Sequence, residues 1–137
     1  MNKRAVVNFA SGRYKKDQQR LKNQIIKVGF TGETLLWTDN VPTGSSVHAS
    51  VPYQFKPYAF ENALKLGFTT VIWMDAVIFP NKSFNRLIDI IESDGYLIFR
   101  NGWTTGEWCC DSALNPLGIT RDESFTIPHA MACVMGF

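Results

Sequence analysis

The chain has 137 residues, 45% hydrophobic and 19% charged, a balance that builds a core and excludes a disordered polyelectrolyte. A net charge of +2 is too small to drive binding to nucleic acid or an anionic membrane surface, and no apolar stretch is long enough for a membrane segment. The three cysteines, with Cys109 and Cys110 adjacent and Cys133 apart, match neither a disulfide framework nor a zinc-site spacing. Free thiols in a reducing compartment are the simpler reading, and Met1-Asn2-Lys3-Arg4 opens no secretory signal, so a cytoplasmic protein of one domain over residues 1–137 is expected.

In chain order, Arg4–Phe9 (R-A-V-V-N-F) predicts a first strand, and Ala10-Ser11-Gly12-Arg13 a small polar turn. From Asp17 to Val28, Leu21, Ile25 and Val28 form one apolar stripe of a helix that Gly29 stops. Glu33–Asp39 predicts a second strand ending on a carboxylate, followed by an unperiodic loop over Asn40–Val51. Tyr53–Leu66 predicts a second helix, with Pro57 in its first turn and Phe60, Ala63 and Leu64 on its buried face. Thr69–Met74 is a continuous apolar run, the mark of a strand buried on both faces, and it ends on Asp75. Ser83 then caps a third helix carrying Phe84, Leu87, Ile88 and Ile91, and Tyr96–Arg100 predicts a fourth strand. Trp103–Pro128 has little periodicity, and Ile127–Phe137 reads as a short helix or strand. An end inside an apolar run predicts a further C-terminal part, or a homo-oligomer partner over Cys133–Phe137.

Strands alternating with helices predict an α/β fold: a three-layer sandwich with a mostly parallel, Rossmann-like sheet. Loops after the strands then gather at one edge, where open α/β sheets hold ligands. Asp75 stands there, either capping a turn or holding a metal or a sugar hydroxyl. Lys56 and Arg13 are placed to meet a diphosphate. Asp39 is either a surface turn residue or an acceptor for ribose hydroxyls. The Ala10–Arg13 loop matches neither a Walker A loop nor G-x-G-x-x-G, which argues against an ordinary nucleotide hydrolase or dehydrogenase. Trp103 and Trp108 suit a core or a carbohydrate equally. His129 is either a core histidine or a ligand-binding one, and Asp111 is one of several carboxylates able to act as a base.

The string F-K-P-Y-A-F-E-N-A-L-K-L-G-F-T-T-V-I-W-M-D-A-V-I-F, Phe55–Phe79, resembles the core of nucleotide-diphospho-sugar glycosyltransferases of the GT-A type. In that family a helix precedes a buried strand ending in D-x-D. The resemblance extends to Val6–Arg13 as a nucleoside-binding strand and loop, and to Gly106–Trp108 and His129–Phe137 on the acceptor side. It implies transfer of a sugar from a nucleotide-diphosphate sugar to an acceptor hydroxyl. Asp75 and Asp111 would be catalytic, and Ala10, Ser11, Gly12, Arg13, Asp39, Lys56, Trp103 and His129 would bind substrate. It also implies Mn²⁺ or Mg²⁺ on Asp75. The motif here reads Asp75-Ala76-Val77, and Val77 ligates nothing, so a cation needs other oxygens, water or His129. The alternative is a non-catalytic sugar-nucleotide-binding or assembly module on the same scaffold.

Overall fold

Strand β1 (Arg4–Ala10) lies in the core: Ala5, Val6 and Val7 are fully buried. A computed structural model describes residues 2–137. After β1 come α1 (Tyr14–Lys27), β2 (Glu33–Thr38), α2 (Phe55–Lys65), β3 (Thr70–Met74), α3 (Asn85–Asp94) and β4 (Leu97–Thr104). Three four-residue helices follow, α4 (Thr105–Trp108), α5 (Asp111–Leu114) and α6 (Arg121–Ser124), and then β5 (Pro128–Gly136). The chain divides into two compact units: Met1–Leu97 with Cys133–Phe137, and Ile98–Ala132.

The sheet runs β2-β1-β3-β5-β4. Crossovers through α1 and α2 make β2 and β3 both parallel to β1, on opposite sides of it. The Arg4–Phe9 and Thr69–Met74 stretches are therefore paired in parallel, with Ala5 opposite Val71 and Val7 opposite Trp73. The expected mostly parallel, Rossmann-like three-layer sandwich is not present. β5 runs antiparallel to β3, with Ile72 opposite Gly136 and Met74 opposite Val134, so the sheet is mixed. The error has a physical source: an apolar run specifies a strand but carries no information about its direction.

Alternate residues of a strand point to opposite faces. On one face Ala5, Val7, Val71 and Trp73 pack with Phe55, Ala59, Phe60 and Ala63 of α2. The other face meets α1 and α3. There Asn8 is fully buried, donating to the Met74 carbonyl at 2.7 Å and accepting from Gln18 of α1 at 2.8 Å. Gln18 also donates to the Trp37 carbonyl at 2.9 Å and accepts from Thr38 at 2.7 Å. These bonds tie the carboxyl ends of β1, β2 and β3 to α1, and no buried side-chain nitrogen or oxygen among the described residues lacks a partner. At the opposite end, Arg4 forks onto Glu92 of α3 at 2.7 and 2.8 Å. That guanidinium, aided by Thr70, pulls the Glu92 carboxyl down to about 2. Gly136 sits so close to α3 that a Cβ there would collide with Ile91.

Candidate functional site

The strand order sets where a ligand fits. The chain leaves β1 towards β2, while β3 lies on the other side of β1, so the connections diverge between β1 and β3. A crevice opens beyond the carboxyl ends of strands at such a switch point. A cavity of about 310 Å³ occupies it. Phe9, Ala10 and Ser11 line it from the end of β1, and Trp73, Asp75, Ala76 and Val77 from the end of β3. Tyr14 enters from α1, Phe55 and Lys56 from α2, and His48 and Tyr53 from the segment that precedes α2.

Lys56 and Asp75 form the polar centre. The Lys56 side chain is only 9% exposed, and its Nζ lies 2.9 Å from Asp75 Oδ1. The same Oδ1 accepts from Trp73 Nε1 at 2.6 Å. Lys56 Nζ also lies 5.1 Å from the Trp73 ring centroid and 5.7 Å from that of Tyr53. A buried ammonium needs such company, because desolvation costs several kcal/mol unless a counter-charge and donors' acceptors are in place, on the order of the penalty for any buried ion. Placing Trp73 two residues before Asp75 brings the indole N–H and the carboxylate to the same side of the chain.

The turn that carries Asp75 is held from three sides. The Asp75 N–H donates to the Cys133 carbonyl at 2.8 Å, and the Asp75 carbonyl accepts from the Ile78 N–H at 2.9 Å. Arg20 of α1 donates to the Val77 carbonyl at 3.2 Å, with Asp17 3.4 Å from the guanidinium. The walls are aromatic. Phe55 has ring centroids of Phe9 at 4.7 Å, His48 at 5.5 Å and Trp73 at 5.6 Å around it. Tyr53 has a left-handed backbone, φ 62°, which a bulky residue adopts only under constraint. Its N–H donates to His48 Nδ1 at 3.1 Å.

Of the residues singled out from sequence, Ala10, Ser11, Lys56 and Asp75 meet in this cavity. Gly12 and Arg13 follow in the turn before α1, where the Arg13 guanidinium bonds the Tyr14 hydroxyl at 3.1 Å. Asp39 does not line the cavity. Its carboxylate pairs with Lys15 at 2.8 Å, and that contact, with the Gly12 N–H, holds it below the usual carboxylate range. Tyr53, Trp73 and Arg20 are not among the residues singled out from sequence, and His48, expected as a solvated residue of the polar loop, lines the cavity. Only Trp73 had a readable signal, its two-residue spacing from Asp75.

The unit Ile98–Ala132 contains the remaining three. Asp111 is bonded by the Arg121 guanidinium, whose Nη1 donates to the carbonyls of Gly106 at 2.9 Å and Cys109 at 2.8 Å. The Asp111 carboxylate therefore anchors a loop. Trp103 and Trp108 meet edge to face at 6.1 Å, and His129 stacks on Trp108 at 5.6 Å.

A divalent cation does not fit the Asp75 turn as it stands. Asp75 Oδ1 already accepts from two donors, an ammonium stands where a cation would, and Val77 supplies a methyl surface. Among the described residues no group of three His, Cys, Asp or Glu converges, and no helix is long and apolar enough to cross a membrane. No family model, curated protein or solved structure matches the chain.

Proposed function

We propose that the cavity between β1 and β3 binds a nucleotide-diphosphate sugar, and that the chain is a glycosyltransferase-type domain that moves the sugar to an acceptor hydroxyl. The observation that carries this reading is the Lys56–Asp75 pair in an aromatic crevice at the carboxyl ends of two parallel strands. At about 310 Å³ the cavity is near the small end of ligand pockets, which run from roughly 300 to 1,000 Å³. It suits a nucleoside-sized portion, with flat rings lying against Tyr14, Tyr53 or Phe55 and the diphosphate at the mouth. There Arg13, at the start of α1, supplies the positive charge. As the donor's sugar–oxygen bond breaks, the acceptor oxygen bonds the sugar and its proton passes to water, and Lys56 offsets the negative charge that develops on the leaving diphosphate, by electrostatics fixed in advance. Asp75 Oδ1 is engaged, so its second oxygen is the one that meets a ribose or sugar hydroxyl. Binding in this scheme is independent of Mn²⁺ and Mg²⁺, because Lys56 fills the place of the cation.

A non-catalytic binding module is the second reading, and one observation favours it: Val77 lines the cavity where the motif's second acid would stand. Thermal shift against UDP-, GDP- and CMP-sugars, with and without Mn²⁺, tests binding. A donor that binds raises the melting temperature by mass action, equally with and without Mn²⁺, and the shift is lost in the double variant Lys56→Met/Asp75→Asn. No shift with any donor removes both readings. Release of free sugar from the bound donor in the absence of acceptor separates the enzyme from the module.

A further inference from the structure

We infer that the unit Ile98–Ala132 carries a site for a neutral saccharide, built on Trp103, Trp108 and His129. Two indoles stand more than half exposed there, Trp103 at 52% and Trp108 at 61%. Neither indole N–H donates to any described residue. A free N–H beside an apolar ring face is the pairing that a pyranose ring uses, since it offers a C–H face and hydroxyl oxygens together.

The rings are held in advance of any ligand. Asn101 positions one ring and the strand beside it. Its Oδ1 accepts the backbone N–H of Trp103 at 3.1 Å, which turns its Nδ2 towards His129 Nδ1 at 3.0 Å. An amide NH₂ can only donate, so His129 Nδ1 accepts and the neutral ring carries its proton on Nε2. That leaves Nε2–H as a further donor beside the Trp108 face, on which His129 is stacked at an interplanar angle of 19°. Gly102, inside β4, takes the left-handed φ of 84° next to Trp103. Trp108 is fixed through α4: Thr104 and Glu107 form a capping box at its start, and Arg121 holds the carbonyls of Gly106 and Cys109 on either side of it.

The charge of this unit points to a neutral ligand. Between Ile98 and Ala132 there are two arginines against four carboxylates, and Arg121 is already committed to Asp111. The unit therefore carries more negative than positive charge, which disfavours an anionic ligand, whereas uncharged hydroxyls find three ring N–H donors. The glycosyltransferase resemblance also gives Trp103 and His129 to substrate, but the inference rests on the ring geometry of this unit and uses none of the cavity residues, so the two readings fail separately.

The test uses the full chain and a panel of methyl hexopyranosides with their di- and trisaccharides, built on glucose, galactose, mannose and N-acetylglucosamine. Proton–nitrogen NMR resolves the indole N–H signals without any variant. The expected result is a saturable shift of the Trp103 and Trp108 signals with at least one saccharide, while Trp37 and Trp73 stay in place. Asn101→Ala releases the His129 ring and the Trp103 backbone and weakens that affinity by about tenfold, the cost of losing a pair of orienting hydrogen bonds. Trp108→Phe keeps part of the affinity and Trp108→Ala keeps none. The inference is overturned if no saccharide of the panel moves these two signals. It is equally overturned if a simple alkyl alcohol moves them as much, which identifies an apolar docking surface instead. A positive result here with no nucleotide-sugar binding leaves this site intact and removes only the donor reading.

Discussion

The two units are held together by different means. In the larger one, strands buried on both faces meet helices through apolar side chains, and β3 is buried along its whole length. In Ile98–Ala132 the helices are four residues long, and Gly106, Leu114 and Ser124 are their only buried residues. Side chains bonded to backbone do the work there: the capping boxes of Thr104 with Glu107 and Thr120 with Glu123, and the Arg121 fork. The ion pairs show the same contrast. Lys56–Asp75 has side-chain exposures of 9% and 33%, whereas Arg121–Asp111 has 37% and 70%. A pair under cover couples strongly to folding when one partner is removed, and an exposed pair is screened by water and salt.

The largest expected effect breaks the covered pair. Asp75→Asn leaves a buried ammonium without its counter-charge, and a loss of about 3 kcal/mol is expected. Lys56→Met costs less, because the Asp75 side chain keeps the Trp73 N–H and partial access to water. The double variant recovers much of the loss. Urea denaturation of the four proteins closes the cycle, and additive effects would show that the two groups do not interact. The same substitutions at Arg121–Asp111 give a coupling well below this one.

Next in size is Gly136→Ala, which tests how tightly the larger unit is packed. A Cβ at this position meets the Ile91 side chain and the Val71 carbonyl oxygen. The carbonyl belongs to the sheet and does not yield, so Ile91 moves. A cost of about 2 kcal/mol follows from overpacking of this kind. The double variant Gly136→Ala/Ile91→Val reports the cause: it is less destabilised than the sum of the two single changes if the clash with Ile91 is the source. An unchanged urea midpoint in Gly136→Ala would mean that β5 and α3 are not in close contact.

The contrast between the units also decides what the sequence disclosed. β1, α1, β2, α2 and β3 were legible because each carries its burial as a pattern, a stripe at helical spacing or an unbroken apolar run. The antiparallel direction of β5 was not, since Cys133–Gly136 pairs with β3 through backbone groups that the side chains do not encode. Asp75 was legible from its place after a buried strand. Its partnership with Lys56 was not, because the two come from different elements and no spacing relates them. His48 and Tyr53 reach the cavity from a stretch without periodicity, held by one hydrogen bond and a left-handed backbone. Helices of four residues are shorter than the window over which periodicity shows, so Thr105–Ser124 read as irregular. The Thr-x-x-Glu spacings at Thr104–Glu107 and Thr120–Glu123 were nonetheless present as capping-box signatures.

The smallest effect belongs to those caps. Thr120 accepts from the Glu123 N–H at 3.2 Å, and Glu123 in return accepts from the Thr120 hydroxyl at 2.6 Å and its N–H at 2.9 Å. Thr120→Ala removes the hydroxyl side of this exchange, and about 1 kcal/mol is the usual cost of losing such a cap. The same bonds hold the Glu123 carboxyl below the ordinary glutamate range, the Thr120 hydroxyl contributing most. A carboxyl depressed in the folded chain stabilises it above the ordinary glutamate range, and the contribution fades as the pH falls towards the depressed value. Protection from amide exchange at Ser124 and Phe125, measured against the intrinsic rate at the same pH, should therefore fall on acidification in the parent chain. In Thr120→Ala it should already be lower at neutral pH and respond less to acid. Protection in β3 should not change in either protein, because the bonds that fail lie in the unit that relies on them. Equal acceleration in both units would show that the caps and the sheet melt as one.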